Sequence, residues 1–439
     1  MKKLISNLKG DKVIWSFVAL LALFSFMPVF SASSNLAYMN HGTGNTVSYL
    51  LTHLAHIFMG FLIIYGVHKV PYNYLKGLSL ILLPLVWLLL AFTLLKGTVI
   101  GGANASRWLK VPFVGISFQP STFAAVVLFV FVARYLSKKR ENPITFKSSL
   151  LELWAPVFIT LAFILPANFS TTALIFSMVL MLVFVGKYPL KYIGFVIGTG
   201  VVFMLFFILL SKTFPESQFF SRVGTWTSRI ENFTTNKSEE NNYQITKAKI
   251  AIASGKIYGL GPGKSVQKNF LPQSSSDFIY AIIVEEYGLI GGLGVLILYL
   301  LLFFRFVVAA HKANTMFGKL LVVGLGFPII FQALINMCVA VELLPVTGQT
   351  LPLISSGGSS IWMTCAAIGI IISVTKKDEE IAQEQNEAAQ RETVLRKLID
   401  EQIEKENQME KENAIGFNYS INDTSTNPLE PILKNKNEF

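Results

Sequence analysis

The chain is 439 residues long, 52% hydrophobic and 14% charged, with a mean hydropathy of +0.53. A soluble domain carries roughly 25% charged residues, so this composition excludes a soluble globular protein and implies a polytopic membrane protein. The formal charge of +11 fits basic loops beside anionic lipid and gives no reason to invoke nucleic acid.

Apolar stretches of spanning length fall at 14–31, 48–67, 77–95, 121–136, 151–165, 171–186, 189–211, 278–304, 317–341 and 358–374. They predict an all-α membrane protein of about ten transmembrane helices, with a large outer-face loop at 212–277 between the seventh and eighth. Lys and Arg gather in alternate loops, among them Lys2, Lys3, Lys9 and Lys12, then Lys69 and Lys76, then Lys138, Lys139 and Arg140. The short loops at 32–47, 166–170 and 342–357 carry none. By the positive-inside tendency both termini are cytoplasmic and 212–277 faces outward. The first stretch has some features of a cleavable signal, but it is long for one, and the orientation works with it retained. Cys338 and Cys365 both fall in predicted spans, so no disulfide framework or thiolate metal site is implied.

In chain order, His53 and His56 share a helix face in the second span, where hydrogen-bonded core histidines are favoured over ligands. The outer segment 96–120 carries Arg107 beside Trp108, then Lys110 and Gln119. This is either an interfacial anchor or a place where something anionic is met. Asn168 is the strongly polar group of a tight outer hairpin. Within 212–277, residues 242–254 have helical periodicity, and Gly255, Gly259, Gly261 and Gly263 follow, ending at Lys264. Their spacing matches neither dinucleotide nor P-loop patterns, so a flexible turn is favoured over a phosphate cradle.

The stretch NFLPQSSSDFIYAIIVEEYGLIGG, from Asn269 to Gly292, converts that loop into a membrane-length helix. Asp277 stands at the turn, as a helix N-cap or as a catalytic or ion-handling carboxylate. Glu285 and Glu286 follow about two turns further in, at a depth where ionisable groups are costly and usually functional. The last outer loop, Asn336 to Ser360, looks re-entrant, and the amides of Gly357 to Ser360 either open the final helix or hold an anion. Residues 1–377 thus form a membrane domain. The tail 378–439 is charged, in part an amphipathic helix and then disordered.

Three outer-face strings, NASRWLKVPFVGISFQPS (104–121), RI…YQITKAKIAIASGKIYGLGPGKSVQKNFLPQSSSDFIYAIIVEEYGLIGG (229–292) and NMCVAVELLPVTGQTLPLISSGGSS (336–360), resemble those of the SEDS (shape, elongation, division, sporulation) family of peptidoglycan glycosyltransferases, which includes FtsW and RodA. The resemblance covers residues 12–375. It leans to FtsW, because TGQTLPLISSGGSS lacks a proline directly before Leu-Pro and because the tail is long.

The resemblance implies a cell-division enzyme of the bacterial cytoplasmic membrane. It would polymerise lipid II on the outer face and release undecaprenyl pyrophosphate. Implied partners are a class B penicillin-binding protein and other divisome proteins. Asp277 matches the family's essential acid. Arg107, Gln119, Arg229, Lys249, Lys264, Ser359 and Ser360 are candidate substrate-binding residues, with Lys110 and Lys247 as further cations. Glu285, Glu286 and Asn168 have supporting roles. The family's usual Glu and Lys in the fourth span are Thr122 and Ala125 here, and its hairpin Asp is Asn168. No cofactor is expected; a divalent cation at the pyrophosphate is conceivable, though no ligand cluster predicts one. The competing readings are a lipid II flippase, which should spread polar residues through the membrane, a RodA-type elongation polymerase, and a transpeptidase-recruiting scaffold.

Overall fold

The computed structural model describes residues 8–41, 46–97, 107–110, 117–139, 145–213, 239–376, 386, 389–407 and 409. They divide into two compact units, Met1–Lys376 and Lys377–Phe439. In the second unit, residues 389–407 form a helix with exposed side chains.

The first unit is built from α1 (Lys12–His41), α2 (Thr46–Val67), α3 (Leu75–Lys96), α4 (Pro120–Lys138), α5 (Phe146–Ile164), α6 (Phe169–Val185), α7 (Leu190–Thr213), α8 (Glu239–Gly255), α9 (Ile279–Lys312), α10 (Met316–Ala340) and α11 (Gly358–Val374). Every apolar stretch read from the sequence is helical. Among the described residues, seven helices are long and apolar enough to cross a membrane, and α6, α11 and the stretch Leu190–Phe206 of α7 are shorter apolar segments. A minimal antiparallel pair, β1 (Leu109–Lys110) with β2 (Ser117–Phe118), precedes α4.

Burial separates the helices into layers. The apolar windows of α4 and α10 are 67% buried, against 22% for α2 and 28% for α3, so α4 and α10 form the centre. Gly324 of α10 lets Leu182 of α6 and Phe129 of α4 close against it. At the outer layer, Gly60 and Gly369 permit the tight α2–α11 seam, against Cys365 and against Ile64 and Val67 respectively.

Helix α9 is broken near its start. Gly288 has φ 68° and ψ −170°, a conformation essentially restricted to glycine. The break strands carbonyls before it and amides after it, which must find other partners when buried. The segment after α8 supplies them. Leu260 N donates to Glu285 O and Gly261 N to Glu286 O, both at 2.9 Å, while Leu289 N and Ile290 N donate to Lys256 O and Ile257 O at 2.9 and 3.3 Å. This pairing demands close main-chain approach. A β-carbon on Gly255, Gly259 or Gly288 would overlap the Val284, Glu286 or Ile257 carbonyl. The glycine run is therefore a packed splint across a helix break, which corrects the reading as a flexible turn.

Candidate active site

The turn that carries Asp277 is held from several sides. Phe278 is the N-cap residue of α9, so Asp277 precedes the cap position. Ser274 Oγ donates to Ala32 O of α1 at 3.1 Å. Ser356 N donates to Ser275 O at 2.9 Å, and Ser355 Oγ to Ser276 O at 2.6 Å. The Asp277 carbonyl accepts from Asn336 Nδ2 at 2.7 Å. The segment between α10 and α11 thus grips the turn. Irregular and yet buried at Leu351, Leu353 and Ile354, it has the character expected of a re-entrant loop. Gly348, at φ +68°, lies against the carboxylate; a β-carbon there would sit 3.5 Å from Oδ2.

Asp277 opens onto a cavity of about 620 Å³. Its wall brings together Arg107, Gln119, Asn168, Asp277 and Ser360 from the sequence reading, with Gln244, Gln273, Gln332, Gln349 and Thr350. Thr122 and Ala125 line it too, so no ion pair occupies those positions. Arg107 and Asp277 are the only charged groups among the described lining residues. The polar groups sit toward the N-terminal ends of α4, α6 and α11 and the C-terminal half of α10. Val126, Phe129, Leu325, Ile329, Met363 and Ala367 line the cavity further along the helices. The space is amphipathic, polar toward one end and largely apolar toward the other.

Local bonds fix the wall. Arg107 Nε donates to Ala167 O at 2.7 Å, in the hairpin before α6. Asn168 caps α6, its Oδ1 accepting from Thr171 N at 3.2 Å; an Asn retains the capping capacity of an Asp. Gln349 Nε2 reaches Thr171 Oγ1 at 3.0 Å, and Gln332 Nε2 reaches Thr350 O at 2.9 Å. Ser359 is buried and off the wall, accepting from Gln119 N at 3.2 Å.

The family assignment follows from the whole chain. Residues 11–380 match the model of the "Cell cycle protein" family that unites FtsW, RodA and SpoVE. The chain belongs to this family. It is 30% identical over 362 residues to the probable peptidoglycan glycosyltransferase FtsW of Nitrosococcus halophilus, covering 81% of this chain and 90% of the relative. Its fold is shared with the Thermus thermophilus rod shape determining protein RodA, with a TM-score of 0.59 and 23% identity over 83% of this chain and 96% of that one. It is also shared with a chain from a study titled "Structural coordination of polymerization and crosslinking by a peptidoglycan synthase complex", with a TM-score of 0.66 and 23% identity over 83% and 97% of the two chains.

Other residues singled out within this FtsW/RodA-family chain lie off the cavity wall. Lys249 on α8 pairs with Glu342 at 2.5 Å and is well exposed. Lys264 is exposed at the end of the glycine splint. Glu285 and Glu286 are fully buried and knit the splint to α1. Glu285 accepts from Ser265 Oγ, and from Val266 N and Gln267 N at 3.0 and 3.2 Å. Glu286 accepts from Ser31 Oγ and from Ser265 N at 3.3 Å. Arg229 lies outside the described residues. The sequence reading passed over Gln332, Gln349 and Asn336. Gln332 and Asn336 carried a signal, as amides in an apolar helix.

Proposed function

We propose that the chain is a division-type peptidoglycan glycosyltransferase, which extends glycan strands from lipid II and releases undecaprenyl pyrophosphate. The observation that carries this reading is the amphipathic cavity, whose wall joins Asp277 and Arg107 to a largely apolar stretch. Such a space suits a lipid-linked sugar pyrophosphate. Asp277 accepts the proton of the acceptor sugar's hydroxyl as that oxygen bonds to the donor's anomeric carbon, and the bond from that carbon to the pyrophosphate oxygen breaks. Arg107 offsets charge that develops on the departing pyrophosphate. The described residues hold no group of three His, Cys, Asp or Glu side chains, and Asp277 is the one carboxylate among the described lining residues. The clustering of polar groups at one end of the helices favours polymerase over flippase.

The proposed setting is the bacterial cytoplasmic membrane with both termini inside, beside a class B penicillin-binding protein that cross-links the strands. The test is polymerisation of labelled lipid II by the purified protein, alone and with its cognate transpeptidase. Glycan ladders support the reading. Lipid II transfer across vesicles without ladders would replace it with the flippase.

A further inference from the structure

Asn336, on the last turns of α10, is 1% exposed. Its side-chain amide donates to two main-chain carbonyls, Asp277 O and Gln349 O, each at 2.7 Å. The first belongs to the residue before the α9 cap, the second to the segment between α10 and α11. Both hydrogens of Nδ2 are thereby used. The opposite amide orientation would set Oδ1 against two carbonyl oxygens, so the geometry fixes which atom points where. Among the described residues, Oδ1 itself finds no protein partner.

We propose that Asn336 is a positioning residue for the transfer reaction, an amide clamp that sets the Asp277 carboxylate and the Gln349 wall in one register. This rests on the polymerase reading above. Only a side chain with two N–H donors on one atom bridges carbonyls from two separate segments in this way. The carboxylate of Asp277 and the carbonyl clamped by Asn336 belong to one residue, so loosening the clamp moves the base relative to the substrate. Gln349 is tied to Thr171, so the same release loosens the wall facing α6.

The test uses the full-length protein in nanodiscs and two variants of similar shape. Asn336→Leu removes both donors, and kcat for lipid II polymerisation should fall about 100-fold, the scale of a misplacement near 1 Å. KM should change less than about threefold, because the lining groups remain. In Asn336→Asp the ionised acid repels both carbonyls, whereas the protonated acid donates one bond. The ratio of variant to wild-type rate should therefore rise as pH falls from 8 to 5. A merely structural role predicts a lowered melting temperature, with a ratio independent of pH. Wild-type kcat in Asn336→Leu, or a flat ratio in Asn336→Asp, would overturn the clamp. An inactive wild-type protein would instead overturn the polymerase reading beneath it.

Discussion

Gly288→Ala probes the helix break near the start of α9. Placing alanine at φ 68° and ψ −170° costs about 1–3 kcal/mol in backbone strain alone. The added β-carbon overlaps the Ile257 carbonyl, so the splint must withdraw. Four main-chain hydrogen bonds join it to α9, at Leu260, Gly261, Leu289 and Ile290, each contributing about 1 kcal/mol net. Losing half of them together with the strain destabilises the fold by roughly 3–5 kcal/mol. That is a large fraction of a total stability of about 5–15 kcal/mol. Thermal unfolding in detergent, followed by intrinsic fluorescence beside wild type, measures it, and poor yield of folded protein is the companion outcome. A variant that melts within about one degree of wild type would refute the splint, since a shift of several degrees accompanies a loss of this size.

The cations off the cavity wall give the opposite expectation. Lys249→Ala and Lys264→Ala should leave lipid II turnover within about twofold, and loss of the exposed Lys249–Glu342 pair should cost under about 1 kcal/mol; a tenfold loss of turnover in either would place it in the site. Truncation before Asp378 should leave polymerisation by the purified protein intact, because every described lining residue of the cavity lies in the unit Met1–Lys376. An inactive but folded truncation would show that the tail takes part in catalysis.

The membrane architecture was legible because hydropathy over twenty residues is a local property, and α1 to α7 and α9 to α11 follow it closely. Helix α8 was legible from periodicity alone. The meaning of the glycine run was not, because it arises where residues 256–261 meet 285–290, contacts that no spacing rule encodes. The position of Asp277 on the cavity wall agrees with its place in the sequence between a polar loop and a long apolar helix. The reading of Glu285 and Glu286 as costly buried acids was sound, and their partners Ser31 and Ser265 emerged only from packing. Cations could not be ranked from sequence. Arg107 reaches the cavity and Lys249 and Lys264 do not, a sorting fixed by α8 and the splint lying against other surfaces. Asn336 and Gln349 escaped notice because an uncharged amide gives a weak signal until its two carbonyl partners are seen.

The central claim is that Asp277 is the base that accepts the acceptor hydroxyl's proton. Single-turnover polymerisation of labelled lipid II by Asp277→Asn, beside a thermal melt of the same sample, tests it most directly. Removal of a general base typically costs roughly 100- to 10,000-fold. Asparagine keeps the size and hydrogen-bonding reach of the side chain, so the account predicts a normal melt with a rate lowered by that factor. A normal melt with a wild-type rate would contradict it and remove Asp277 from the chemistry.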